Sequence, residues 1–253
     1  MKRATFFITG TDTGVGKTVL TALLARHLRE RGINAVALKL ICSGGRDDAR
    51  VLHAAMNGAL TPDEINPWHF SAPIAPLLAA RREHRLVRLV EALAHVRAIQ
   101  KRFDVVLVEG AGGLLSPLGE DFNSRDLISA LRATPIIVAP NKLGVVNHVR
   151  LTLEALPKTF RAQAKIVLVS PAKPDSATAS NAELLEHFVP SAKIFLLPWF
   201  KESFSPARRL ETPQVKRTLA GLVDQRPAGL PQAKTSRPQG DFAETLSAGG
   251  KTE

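Results

Sequence analysis

The spacing of hydrophobic positions along this chain changes repeatedly, and each change marks an element. Thr5-Phe6-Phe7-Ile8-Thr9 is a short apolar run of strand type. Over residues 18–31, Leu20, Leu23, Leu24 and Leu28 recur at helical spacing, and Gly32 ends that helix. Residues 34–39 read as a second strand and 47–56 as a second helix. Residues 61–76 hold four prolines and read as an irregular connection. A helix over about 86–99 precedes Asp104-Val105-Val106-Leu107-Val108-Glu109, a continuous apolar run of the kind a buried central strand shows. Runs at 135–139 and 165–169 repeat it, helices at 145–156 and 179–188 alternate with them, and 193–197 makes a last strand. Strands alternating with helices predict an α/β fold: a doubly wound, mostly parallel sheet with helices on both faces and right-handed crossovers.

Composition sharpens this picture at a few points. A chain of 253 residues with 45% hydrophobic residues suits one large α/β domain. Aromatics are scarce at 5%, with no Tyr, so branched aliphatics must fill the core. Residues 225–253 hold three Pro and four Gly but no Val or Ile, so the expected division is a domain over 1–224 and a disordered tail over 225–253. Cys42 is the only cysteine, which leaves no intrachain disulfide and fits a cytoplasmic setting. No run of about eighteen uncharged apolar residues predicts a membrane span, and Met1-Lys2-Arg3 leads straight into a strand rather than a signal peptide.

The net charge of +11 raises a nucleic-acid reading, which its distribution weakens. Residues 201–253 contribute +3 and residues 1–200 contribute +8. Clusters such as Arg81-Arg82-Glu83-His84-Arg85 and Lys101-Arg102 read as solvated helix ends, without the aromatic platforms single strands need. Neither nucleic acid nor membrane is an expected partner. A small polyanion such as ATP suits the basic balance.

The candidate chemistry starts where the first strand ends. Gly10-Thr11-Asp12-Thr13-Gly14-Val15-Gly16-Lys17-Thr18 has the order of a P-loop: strand, glycine-rich turn, helix start. Backbone N–H groups of such a turn, with the helix N-terminus, cradle phosphate oxygens. Lys17 would reach the β- and γ-phosphates and Thr18 would bind Mg²⁺. The loop carries one residue more between its outer glycines than the usual pattern. Glu109 emerges from the buried strand at the carboxyl edge, where ligands of open α/β sheets bind, and is the expected second metal ligand. Lys39 ends its strand on the same edge, followed by Cys42-Ser43-Gly44-Gly45-Arg46-Asp47-Asp48. Two lysines suit a reaction that gathers carboxylate and phosphoryl charge. Asp48 or Asp47 would complete the Mg²⁺ shell, with helix N-capping the competing role, strongest for Asp47.

Together these segments resemble dethiobiotin synthetase. The Gly-Thr-Asp-Thr-x-Val-Gly-Lys-Thr loop is that family's version of the P-loop, including its extra residue. Lys39 with Ser43-Gly44, Asn66-Pro67-Trp68-His69-Phe70 with Pro73 and Ala75-Pro76, Glu109-Gly110-Ala111-Gly112-Gly113 with Pro117, Lys142-Leu143-Gly144 with Asn147-His148, and Pro198-Trp199 resemble its other motifs. The likeness spans about residues 4–200.

It implies ATP and Mg²⁺ as cofactors, diaminononanoate and CO₂ as substrates, and a cytoplasmic homodimer with shared active sites. Lys17, Lys39, Thr13 and Ser43 are then the catalytic residues. Asp12, Thr13, Gly14, Val15, Gly16, Lys17 and Thr18, with Ser170 and Pro198, would hold nucleotide. Lys39, Ser43, Gly112 and Gly113 would meet the diamine, whose carboxylate tail would sit on Leu143, Gly144 and Asn147 of the neighbouring subunit. Thr18, Asp48 and Glu109 would hold the metal. Four positions depart from the family pattern: Leu40 for Pro, Leu77 for His, Gly14 for an acidic residue of some members, and Ser170 for the Asn that reads adenine. They leave open a related amidoligase or carboxylate-activating synthetase with another substrate, and, from another class, a partitioning ATPase.

Overall fold

A computed structural model describes residues 3–189, 193–200 and 212–223. Its centre is a six-stranded sheet of β1 (Ala4–Gly10), β2 (Ala35–Leu38), β5 (Val105–Gly113), β6 (Thr134–Pro140), β7 (Lys165–Val169) and β8 (Lys193–Leu197). The strands lie in the order β2-β5-β1-β6-β7-β8, and every neighbouring pair is parallel. The apolar runs fall on the inner strands: Phe7 and Ile8 of β1, Leu107 and Val108 of β5, and Ile136 and Ile137 of β6 are fully buried. Each such side chain contributes about 1.5–3 kcal/mol by leaving water.

The chain leaves β1 through α1 (Lys17–Glu30) towards β2, but leaves β5 through α6 (Ser124–Leu131) in the opposite direction, to β6. Right-handed crossovers therefore place α1 and α6 on opposite faces. On one face α1 packs against α10 (Pro213–Val223); on the other, α5 (Leu89–Gln100) packs against α6. The carboxyl end of β1 thus opens at a point where neighbouring loops diverge, which is where open α/β sheets bind ligands.

The expected strands and helices are present, with bounds shifted by a few residues. Three differences are larger. β5 runs on to Gly113, pairing with Gly10 after a register shift between Ile8 and Gly10, so the glycine-rich segment after Glu109 belongs to the sheet rather than to a free loop. The proline-rich connection is also structured. It contains α3 (Pro62–Ile65), whose Thr61 and Glu64 form a capping box, and β4 (Trp68–Phe70), which pairs in parallel with β3 (Ile41–Ser43) as a second small sheet. Pro76 then opens α4 (Pro76–Arg82). Elements of three or four residues are too short to show a period, although Thr-Pro-Asp-Glu is a readable helix start. Thirdly, α6 and α10 lie where no helix is expected. The remaining helices are α2 (Asp47–Ala55), α7 (Val145–Ala155), α8 (Lys158–Arg161) and α9 (Ser176–Phe188). The expected tail over 225–253 lies outside the described residues. Among the described residues no helix is long and apolar enough to cross a membrane.

Candidate active site

The loop between β1 and α1 is shaped by what cannot fit inside it. A Cβ at Gly10 would stand 2.8 Å from Val15 Cγ2 and 2.9 Å from the Asp12 carbonyl, so only glycine allows the chain to fold back there. Val15 is buried and anchors the loop tip. Gly14 and Gly16 have φ of 72° and 99°, in the left-handed region that favours glycine. Gly16 is also the N-cap of α1, and no side chain caps that helix. Its first N–H groups therefore face the cleft, as an anion site requires.

Lys17 is buried and folds back over the loop, donating to the Asp12 carbonyl at 2.7 Å. Burial and the neighbouring Lys39 charge push its pKa down to about 8, against the pull of Glu109, Asp48 and Asp12. An ammonium so strained by its surroundings gains from a polyanion beside it. Asp12 accepts the Thr13 N–H at 2.7 Å, a local bond that shapes the turn.

Glu109, Lys39, Thr18 and Asp48 meet beside the loop. Glu109 Oε1 accepts from Thr18 Oγ1 at 2.7 Å and from Lys39 Nζ at 2.7 Å. Lys39 Nζ also reaches Asp48 Oδ2 at 2.9 Å and the Gly110 carbonyl at 3.1 Å. Burial works against the Lys39 charge, but the two carboxylates outweigh it and hold the pKa above the ordinary lysine range. Burial works against the Asp48 charge, but the Lys39 charge and hydrogen bond, with the Thr18 hydroxyl and Lys17 close by, outweigh it and hold Asp48 below the ordinary carboxylate range. The neighbouring Asp47 instead points outward, its side chain 87% exposed against 43% for Asp48, and pairs with Arg50. Of the two acidic residues, only Asp48 reaches the cluster.

The donor set fits a hard cation that shares its shell with phosphate. Glu109 Oε2 is buried with no hydrogen-bond partner among the described residues, and Thr18 Oγ1 and the Asp48 carboxylate stand beside it. No group of three or more His, Cys, Asp or Glu side chains suited to a metal occurs among the described residues. Two carboxylates and a hydroxyl are what Mg²⁺ uses when phosphates and water supply the rest.

An open cleft of about 870 Å³ runs between the P-loop, the β3–α2 segment, residues 73–76 and residues 111–117. Its wall includes Thr13, Gly14, Gly16, Lys17, Thr18, Lys39, Ser43, Asp48 and Gly112, with Glu109 beneath. Ser170 and Pro198 lie on the same sheet edge but outside this wall. The Ser170 N–H donates to the Leu197 carbonyl at 2.8 Å, and a Cβ at Gly16 would stand 3.3 Å from Val169 Cγ2. Leu143, Gly144 and Asn147 are exposed at the start of α7 and line no part of the cleft of a single chain. Gly144, with φ of 89°, is an N-cap without a side-chain cap.

Two contributors are not evident from residue chemistry alone. Asn66 is fully buried, and its amide donates to the carbonyls of Lys39, Leu40 and Trp68, which pins the backbone that presents Lys39. Ser116 lines the cleft beside Gly112. The Asn66-Pro67 pair flags a turn in the sequence, whereas a lone Ser flags nothing. Cys42 also lies in the wall, but burial pushes its thiol up to about 12, so it stays protonated.

A glycine-rich turn between a parallel strand and a helix, with a buried Lys and a carboxylate from the adjacent strand, defines a P-loop nucleotide-binding α/β protein. A family profile described as "AAA domain" matches residues 4–206. The chain is 42% identical over 212 residues to the ATP-dependent dethiobiotin synthetase BioD of Anaeromyxobacter dehalogenans, covering 81% of this chain and 94% of that protein. It is 37% identical over 189 residues to the enzyme of the same name from Bacillus licheniformis, covering 72% and 80%. The chain belongs to the dethiobiotin synthetase family. The MinD cell division protein of Aquifex aeolicus superposes with a TM-score of 0.53 at 15% identity, covering 88% of this chain and 99% of that one, a likeness of fold alone.

Proposed function

We propose that this protein is an ATP-dependent dethiobiotin synthetase, a ligase of biotin biosynthesis. It closes a ureido ring on 7,8-diaminononanoate with CO₂ and ATP. One amine adds to CO₂ and loses a proton, giving a carbamate. A carbamate oxygen takes the γ-phosphoryl group, releasing ADP. The second amine then attacks the carbamoyl carbon and phosphate leaves. The observation that carries this reading is the meeting of two lysines, Lys17 and Lys39, at one cleft mouth. A P-loop switch needs only the first. Lys39, beside Ser43 in the same cleft wall, suits a second anion next to the phosphates.

In this reading Lys17 and the uncapped N-terminus of α1 hold the phosphates, and Thr13 and Ser43 orient the phosphoryl and carbamate oxygens. Thr18, Asp48 and Glu109 would hold Mg²⁺, which offsets phosphate charge when bound. Asp12 to Gly16 form the cradle, and Ser170 and Pro198 border the adenine. Gly112 and Gly113 let the diamine approach the backbone. The exposed, uncapped N-cap at Gly144, with Leu143 and Asn147, supports a homodimer whose partner subunit binds the substrate carboxylate there. A cytoplasmic location goes with this biosynthetic role. The test is dethiobiotin formation from diaminononanoate, bicarbonate, Mg²⁺ and ATP, followed by mass. ATP turnover without that product removes the proposal.

A further inference from the structure

Beyond Gly113 the chain turns sharply, and one hydroxyl lies inside the turn. The Gly113 N–H donates to Ser116 Oγ at 2.9 Å, and the Ser116 N–H returns to the Gly113 carbonyl at 3.2 Å. Buried Leu114 and Leu118 anchor the turn on both sides, and Pro117 bridges to Asn123 at the head of α6, so Ser116 is held firmly. Its hydroxyl oxygen is engaged as an acceptor. Its O–H proton has no acceptor among the described residues, and Ser116 lines the cleft.

Gly112, lacking a side chain, leaves the space beside that hydroxyl open. Its φ is 66°, and a Cβ there would stand 2.5 Å from Ser116 Oγ and 3.7 Å from Thr13 Oγ1. The hydroxyl of the P-loop threonine and that of Ser116 thus converge on the same side of Gly112. Two hydroxyls close to one point, in the wall of the same cleft as Lys17 and Lys39, suit a single oxygen that gains negative charge.

We propose that Ser116 is a further catalytic residue, donating a hydrogen bond with Thr13 to the carbamate oxygens as the phosphoryl group is transferred to them. This rests on the dethiobiotin synthetase reading above. The plainer role, closing a turn, predicts a different pattern of effects. A turn-closing hydroxyl acts on the ligand-free protein, whereas a donor to the reacting group acts on turnover.

The experiment compares Ser116→Ala and Ser116→Thr with wild type for kcat, for ADP affinity by calorimetry and for Tm. For Ser116→Ala we expect kcat to fall about 100-fold, the lower end of the cost of removing one such donor. ADP affinity should stay within roughly threefold, while Tm drops by a few degrees for the lost Gly113 N–H bond. Ser116→Thr keeps the hydroxyl and should restore most of kcat. An Ala variant of near wild-type kcat overturns the proposal. So does an Ala variant whose kcat loss comes with ADP binding weakened in proportion, or a Thr variant as impaired as Ala. A wild-type protein that makes no dethiobiotin overturns both this role and the function it rests on. An active wild type with an indifferent Ala variant overturns this role alone.

Discussion

At the scale of single residues, Asp47 and Asp48 show how neighbours acquire different tasks. Both occupy the first turn of α2, where acidic residues favour the helix dipole. A helix turns about 100° per residue, so of two adjacent side chains at the cleft rim only one points to the Lys39–Glu109 cluster. Asp48 reaches Lys39 and Thr18, and Asp47 pairs with Arg50 in solvent. Asp48→Asn should therefore raise the Mg²⁺ concentration needed for half-maximal rate and lower turnover at least about tenfold, while Asp47→Asn stays within about threefold. A titration of rate against Mg²⁺ for both variants decides it, and equal losses would place the ligand wrongly. Residue type and order were enough to bring Lys17, Thr18, Lys39 and Glu109 forward, because a strand end fixes where a side chain emerges. The choice within the Asp pair was not legible, since it depends on the phase of a helix whose start the sequence locates only to within a residue or two. The roles of Asn66 and Ser116 were hidden for a related reason. Asn66 acts through the carbonyls of Lys39 and Leu40, far back along the chain, and Ser116 is brought to the cleft by the turn it closes on Gly113, and no spacing rule reports either.

Among the elements, α1 does two jobs with its two ends. Its N-terminus faces the cleft, and its buried face packs against the sheet and α10. His27 belongs to that buried face, and its Nε2 has no hydrogen-bond partner among the described residues. Burial lowers its pKa below the usual 6.5, and the Arg31 and Lys216 charges add to this against Glu30. The folded protein therefore keeps the imidazole neutral, while the unfolded chain takes up a proton near pH 6.5. Stability is fully present above that pH and is lost as pH falls through it towards the folded value. Thermal unfolding of wild type and His27→Gln between pH 8 and 5 should show wild type losing Tm more steeply below about pH 6.5. Parallel curves would mean that His27 is not held neutral. The long, regular elements were readable because their periods persist over many residues. α10 was not expected, although Val215, Leu219 and Leu222 are buried at helical spacing, because the Pro- and polar-rich sequence around it masks the pattern.

For the molecule as a whole, the parallel sheet and its divergence at β1 gather the cleft residues at carboxyl ends of strands, in the loops that follow them and in the first turns of the next helices. The start of α7 stands apart from that cleft, and this separation is what the homodimer proposal explains. If each site takes its carboxylate-binding helix end from the partner subunit, two inactive variants can complement each other. Lys17→Ala disables the phosphate site and Gly144→Trp blocks the helix end, so a mixed dimer regains one intact site of two. Equal mixing of exchanging subunits should then restore up to roughly a quarter of full activity. Exchange without recovered activity would contradict a shared site. The central claim, that the two-lysine cleft joins CO₂ to a diamine at the expense of ATP, has a direct measurement. Wild type and Lys17→Ala are incubated with diaminononanoate, carbon-13 bicarbonate, Mg²⁺ and ATP, and products are read by mass spectrometry. Wild type should yield dethiobiotin carrying a single heavy carbon in its ureido carbonyl, with ADP formed in equal amount, and Lys17→Ala should lose nearly all of both. ATP consumption by wild type without labelled dethiobiotin would contradict the account.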